Sequence, residues 1–232
     1  MVDMAKRQEY VAIYQQGASA KRAQGDLLGE QRSLSSLWLN YLAMAVVECG
    51  DVDEAQSWWA TNVPGTLLER FAEVTRECVA QVDAGVVPAS TIAGNYPHLV
   101  LTHLAWALGN FSLGEQFAEI AVRPDVLPLS TPFWREYARA IAALIAGSPY
   151  AVATLKLKGL EKYWHAYLPL IDAATNAQDL EAPLFEIDES FRRRNADKRI
   201  KQDQYEIEGS GGRPARWDFR RDGLVRYLDA RK

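Results

Sequence analysis

One pattern constrains this chain more than any other: apolar residues recur at helical spacing, and short glycine punctuation interrupts them. Leu67, Phe71, Val74, Cys78 and Val82 are spaced 4, 3, 4 and 4 apart, while Glu69, Arg70, Glu73, Arg76 and Glu77 fall mostly elsewhere. That is one apolar stripe on an amphipathic helix. Thr66 with Glu69 reads as a capping box at its start, and the signature recurs as Asp51 with Glu54 and Ser112 with Glu115. Pro97 and Pro132 fall near two further helix starts, where a missing N–H costs nothing. Gly17, Gly50, Gly85, Gly109 and Gly147 read as stops.

The pattern predicts helices over 3–16, 34–48, 52–61, 67–83, 97–108, 113–122, 133–146, 159–175, 179–200 and about 219–230. Part of it repeats. Leu39-Asn-Tyr-Leu-Ala-Met-Ala45 echoes Leu101-Thr-His-Leu-Ala-Trp-Ala107. A glycine stop and a capping signal follow each, then a second apolar-patterned pair, Leu67–Val74 and Phe133–Ala140. A helix, a glycine turn and a helix that folds back is a helical hairpin, and hairpins stack. The period does not fit the 34 residues of tetratricopeptide arrays. The expected fold is therefore all-α, with stacked antiparallel helical hairpins in a repeat-like order. Residues 1–183 form the body, and 184–232 pack on it within a single domain.

Charge is unevenly distributed. Residues 1–191 carry 13 Lys+Arg against 23 Asp+Glu, a net of −10, whereas residues 192–232 carry 13 against 7, a net of +6. Such an asymmetry draws the basic segment onto the acidic body, or steers partners of opposite sign to each. Within the basic segment, Phe185, Asp188, Phe191, Arg192 and Asn195 share a helical side. Tyr205 and Ile207, then Ala215, Trp217 and Phe219, alternate with charged residues around Gly209–Pro214, which is the period of a short β-hairpin. Its Arg and aromatic content suits a protein-recognition surface. The basic run of Arg192–Arg194, Lys198, Arg199 and Lys201 is interrupted by Asp197 and Asp203, and the body is acidic, which disfavours nucleic acid. Gly209-Ser-Gly-Gly-Arg213 lacks the Lys-Ser/Thr ending of a phosphate loop.

Catalytic chemistry is not written in recognisable form. His98 and His103 are five residues apart, off the i,i+4 spacing of helical metal ligands, and His103 reads as a packed core residue. Cys49 and Cys78 read as buried, reduced thiols. Trp38, Trp58, Trp59, Trp106, Trp134 and Trp164 read as core residues on helices, with one ring of the Trp58–Trp59 pair partly exposed. No cofactor is expected, and no stretch reaches the roughly 20 apolar residues of a membrane span. The N-terminus has no signal-peptide pattern. The expectation is a soluble, cytoplasmic chain that is not an enzyme.

Phe191-Arg-Arg-Arg-Asn-Ala-Asp-Lys-Arg199, then Glu208-Gly-Ser-Gly and Trp217-Asp-Phe-Arg220, resembles the ends of helical immunity proteins encoded beside bacterial polymorphic or contact-dependent toxins. The resemblance covers about 45 residues and implies a non-enzymatic inhibitor that binds one cognate toxin. The acidic body suits a toxin with a basic face. The candidate partner-binding residues are Asp51, Asp53, Glu54, Arg192, Arg199, Tyr205, Arg213, Trp217 and Arg220. The alternatives are a helical-repeat scaffold, adaptor or chaperone that binds peptides and, behind it, an enzyme of unrecognised type.

Overall fold

A computed structural model of the chain describes residues 4–92, 95–159, 161–196 and 215–232. Among these the architecture is all-α, with no strand. The helices are α1 (Met4–Ala23), α2 (Leu27–Glu48), α3 (Val52–Asn62), α4 (Leu67–Asp83), α5 (Asn95–Ala107), α6 (Phe111–Ala121), α7 (Pro132–Ala146), α8 (Glu161–Trp164), α9 (Leu168–Thr175), α10 (Glu181–Ala196) and α11 (Phe219–Asp229). Short 3-10 turns at Ala89–Thr91, Leu127–Leu129 and His165–Tyr167 join some of them. The chain forms two compact units: Met1–Ile92 with Asp197–Asp218, and Ala93–Ala196 with Phe219–Lys232. Residues 183 and 184 both lie inside α10.

In the first unit α2 is the central helix, packed against α1, α3 and α4. Asp26 caps it by accepting from the Gly29 N–H at 2.9 Å. Tyr41 through Val47 are all buried, so an apolar surface surrounds this part of the helix. Trp38 meets Phe71 edge-on at 6.1 Å, and Tyr41 lies 6.3 Å from Trp59. The expected stripe on α4 is the packing face: Leu67, Phe71, Val74 and Cys78 are buried, and only Val82 is half-exposed. Two polar links cross this interior. Arg70 grips Glu30 with two parallel bonds of 2.8 and 2.9 Å, and Gln31 donates to Thr75 at 3.1 Å. Glu30 is 2% exposed, so this bidentate geometry offsets the desolvation of its carboxylate.

The second unit is built around α5, where every residue from His98 to Ala107 has 0% exposure. α5 packs against α6, α7 and α11. Trp106 stacks on Tyr227 at 3.9 Å and 11°. Trp164 lies among Tyr96, Trp134 and Tyr137. α11 approaches α5 so closely that a Cβ on Gly223 would lie 2.3 Å from the His103 carbonyl oxygen. Only glycine permits that crossing.

Several local expectations need correcting. Gly17 does not stop α1; it lies inside the helix, facing Ser33 of α2. α2 begins at Leu27 rather than residue 34. Thr66 makes no capping hydrogen bond, and Asn110 rather than Ser112 caps α6 by accepting from the Leu113 N–H. On α10 the side expected to be shared by Phe185, Asp188, Phe191, Arg192 and Asn195 is not the buried one: the buried residues are Ile187, Ser190 and Arg194, on a different side, and Phe185 is 59% exposed. The expected hairpin residues Tyr205, Ile207 and Gly209–Pro214 lie outside the described residues. Ala215 to Asp218 are not strand, and Phe219 opens a helix. Gly85, Gly109 and Gly147 do end helices, each with positive φ. Cys49 and Cys78 are buried free thiols. The six tryptophans named above all lie on helices, with Trp58 the half-exposed member of its pair.

Candidate partner-binding surface

Two groups of charged residues play different roles. The first is the corner between α2 and α3, in the first unit. Asp51 accepts from the N–H groups of Asp53 and Glu54 at 3.0 and 2.8 Å, and so caps α3. Glu54 reaches back to the Gly50 N–H at 2.7 Å. This is a capping box with its return bond shifted by one residue. Glu48 accepts from the Trp58 indole N–H at 2.6 Å. Glu48, Asp51, Asp53 and Glu54 are all exposed. Four exposed carboxylates therefore gather at this corner, one of them bonded to the half-exposed Trp58.

Glu48 is a residue that sequence reasoning missed, and it carried a signal. It is the last residue of α2, where the helix dipole disfavours a carboxylate. Its surroundings offset that. The Arg216 guanidinium donates to the Glu48 carbonyl at 2.8 Å, and the N–H groups of Arg216 and Trp217 both donate to the Val46 carbonyl, at 2.7 and 3.2 Å. The corner keeps an acidic excess, four carboxylates against Arg216. Its field reaches the buried Cys49 thiol. Burial first, then Glu48 and Glu54, push that thiol up to about 11, with Arg216 pulling the other way.

The second group is Arg216, Arg226 and Arg231, whose guanidinium groups bond to the ends of helices. Arg216 caps α2 as described. Arg226 donates to the Ala107 carbonyl, the last of α5, at 2.8 Å. Arg231 donates to the carbonyls of Leu144 and Ile145, in the last turn of α7, at 2.7 and 2.8 Å. The final carbonyls of a helix lack intrahelical partners and carry partial negative charge. Each of these arginines supplies the missing donor and an opposite charge. Arg221 pairs with Asp188 at 2.7 Å and with Asp222 at 3.1 Å. A cavity of about 500 Å³ opens beside Arg231, lined by Leu144, Leu180 and Leu228 among others.

Arg220 is buried more deeply, at 1% exposure. Its guanidinium lies over the rings of Trp164, Tyr167 and Phe219 at 5.1, 5.5 and 5.1 Å. Its carbonyl oxygen lies 3.1 Å from His103 Nδ1, and His103 Nε2 lies 2.9 Å from the Tyr137 hydroxyl. A carbonyl only accepts, so Nδ1 carries the hydrogen; in the neutral ring Nε2 then accepts from the Tyr137 hydroxyl.

The nine candidate residues are therefore dispersed. Asp51, Asp53 and Glu54 lie together and exposed. Arg192 is exposed on α10 and pairs with Glu189. Trp217 and Arg220 are each 1% exposed and present almost no surface. Arg199, Tyr205 and Arg213 lie outside the described residues. Among the described residues, no group of three or more His, Cys, Asp or Glu side chains is arranged to hold a metal, and no helix is long and apolar enough to cross a membrane. No family model, curated protein or solved structure matches the chain.

Proposed function

We propose that the chain is a non-enzymatic protein-binding inhibitor of the immunity type, which neutralises a cognate toxin by presenting the acidic α2–α3 corner to a basic face of it. The observation that carries this reading is the division of charge. Arg216, Arg226 and Arg231 bond to helix ends, whereas Glu48, Asp51, Asp53 and Glu54 are exposed at one corner, with Glu48 bonded to Trp58. A half-exposed aromatic beside an excess of one sign of charge suits recognition and electrostatic steering. The resemblance of the C-terminal segment to immunity proteins supports the same reading.

The test is co-expression with the product of the adjacent gene. The reading expects a complex that co-purifies and relieves toxicity. No complex and no rescue would remove it. Asp53 is the residue to vary, because Asp51 and Glu54 also build the corner through their capping bonds.

A helical-repeat scaffold is the second reading, favoured by the placement of the sequence echo. The set α2, α3, α4 falls in one compact unit and α5, α6, α7 in the other. In each set the first helix packs on the third. This reading expects extended peptides from several sources to bind, instead of one folded partner.

A further inference from the structure

Between α7 and α8 the chain does something found nowhere else among the described residues. From Ala151 to Lys158 it runs for eight residues without helix, strand, turn or bend. Over Thr154 to Lys158 exposure alternates: Thr154, Lys156 and Lys158 are exposed, and Leu155 and Leu157 are half-buried. That is the two-residue period of a β-strand with one face against the protein. Both ends are pinned. The Tyr150 N–H donates to Thr175 at 3.2 Å, Val152 to Asp172 at 3.1 Å, and Asn176 donates to the Tyr150 carbonyl at 2.7 Å. At the far end the Lys158 N–H donates to the Glu161 carboxylate at 2.9 Å, and the Glu161 N–H donates to the Lys158 carbonyl at 3.0 Å. Between these anchors, the backbone groups of Thr154 to Leu157 bond to no described residue.

A pre-extended segment with an unpaired backbone is an open strand edge. Its charge selects what can pair with it. Lys156, Lys158 and the nearby Lys162 are exposed and form no ion pair among the described residues. Two copies paired antiparallel about Lys156 or Leu157 would set lysines opposite one another, which is unfavourable. An extended strand with carboxylates at alternate positions would meet those lysines and fill the vacant backbone positions. We infer that Thr154–Lys158 is a docking edge for an extended acidic segment of a partner protein, which adds to it as a β-strand. The apolar residues between the carboxylates would lie beside Leu155 and Leu157. This surface is separate from the acidic corner and does not rest on the reading of that corner.

The probes are the peptides Val-Glu-Val-Glu-Val and Val-Lys-Val-Lys-Val, with both termini blocked. Backbone amide exchange is followed residue by residue in the full chain. The acidic peptide is expected to slow exchange about tenfold or more at saturation at the alternate residues of Thr154–Leu157 whose N–H groups face the added strand, and the basic peptide to leave it unchanged. The double variant Lys156→Glu/Lys158→Glu alters only exposed side chains and should invert that preference. Asp53→Lys should leave the preference unchanged, which separates a failure here from a failure at the corner. Three results would overturn the proposal: no protection at millimolar acidic peptide, equal protection by both peptides, or protection that rises with protein concentration in the absence of peptide. The last would assign the edge to a second copy of the chain.

Discussion

Tyr137 and His103 hold one hydrogen bond between two fully buried side chains, the hydroxyl 2.9 Å from Nε2, while Nδ1 of the same ring faces the backbone of α11. The pair thus links α7 through α5 to the C-terminal helix. Tyr137→Phe removes the hydroxyl and keeps the ring. It should cost about 1–2 kcal/mol, as the loss of a buried hydrogen bond does. Chemical denaturation gives the cost. The ring nitrogen shifts should show hydrogen on Nδ1; hydrogen on Nε2 alone would contradict the assignment.

Two helix glycines should respond in opposite directions to the same change. At Gly223 a Cβ would sit 2.3 Å from the His103 carbonyl oxygen, against backbone that cannot rotate away. Gly223→Ala should destabilise by about 2–3 kcal/mol through overpacking, or separate α11 from α5. At Gly17 the nearest atom is the Ser33 hydroxyl at 3.4 Å, so Gly17→Ala should stabilise by up to about 1 kcal/mol through helix propensity. Thermal melts of the two variants check both signs.

If the C-terminal arginines are helix caps, removing them should cost stability. Arg226→Met and Arg231→Met should each lower it by about 1 kcal/mol, in line with a charged hydrogen bond at a helix end. Arg231 is exposed, so its effect should be the smaller and the more sensitive to salt. A double variant with an unchanged denaturation midpoint would contradict the capping role.

Burial pushes Cys49 and Cys78 up to about 11 and, helped by the bond to Glu115, Tyr227 up to about 12. All three are raised above their ordinary values of 9.0 and 10.0, so the folded state holds these protons more tightly than the unfolded state. Their contribution to stability is complete below about pH 9 and is lost as pH rises through 11 and 12. Denaturation midpoints should therefore fall from pH 8 to pH 11. A thiol reagent at pH 8 should label neither cysteine in the native chain and both after unfolding. Rapid native labelling would contradict their burial.

Local patterning made the helices legible. The stripe on α4, the Asp51 cap and the glycine stops at Gly85, Gly109 and Gly147 are decided within a few residues. The start of α2 was hidden because Gly25 and Gly29 bracket Asp26; one glycine turns the chain at positive φ, and the other lies inside the helix and donates to the Asp26 side chain. Gly17 looked like a stop because the Ser33 side chain it faces lies on another helix. The surface was harder to read. Arg and aromatic residues favour interfaces between proteins, but the same chemistry anchors a chain to itself, as Trp217 and Arg220 do. The capping of α5 by Arg226 and of α7 by Arg231 spans 119 and 87 residues, and no local spacing records it.

The division of charge is tested most directly by the affinity of the full chain for the product of the adjacent gene, titrated at low and high salt. The wild type, Asp53→Lys and Arg226→Met would be compared. If the acidic corner faces the partner, Asp53→Lys should weaken binding about tenfold and flatten its salt dependence. Arg226→Met should lower the stability of the chain and leave its affinity unchanged. Equal affinities and salt slopes for wild type and Asp53→Lys, or a loss of binding with Arg226→Met in chain that remains folded, would contradict the account.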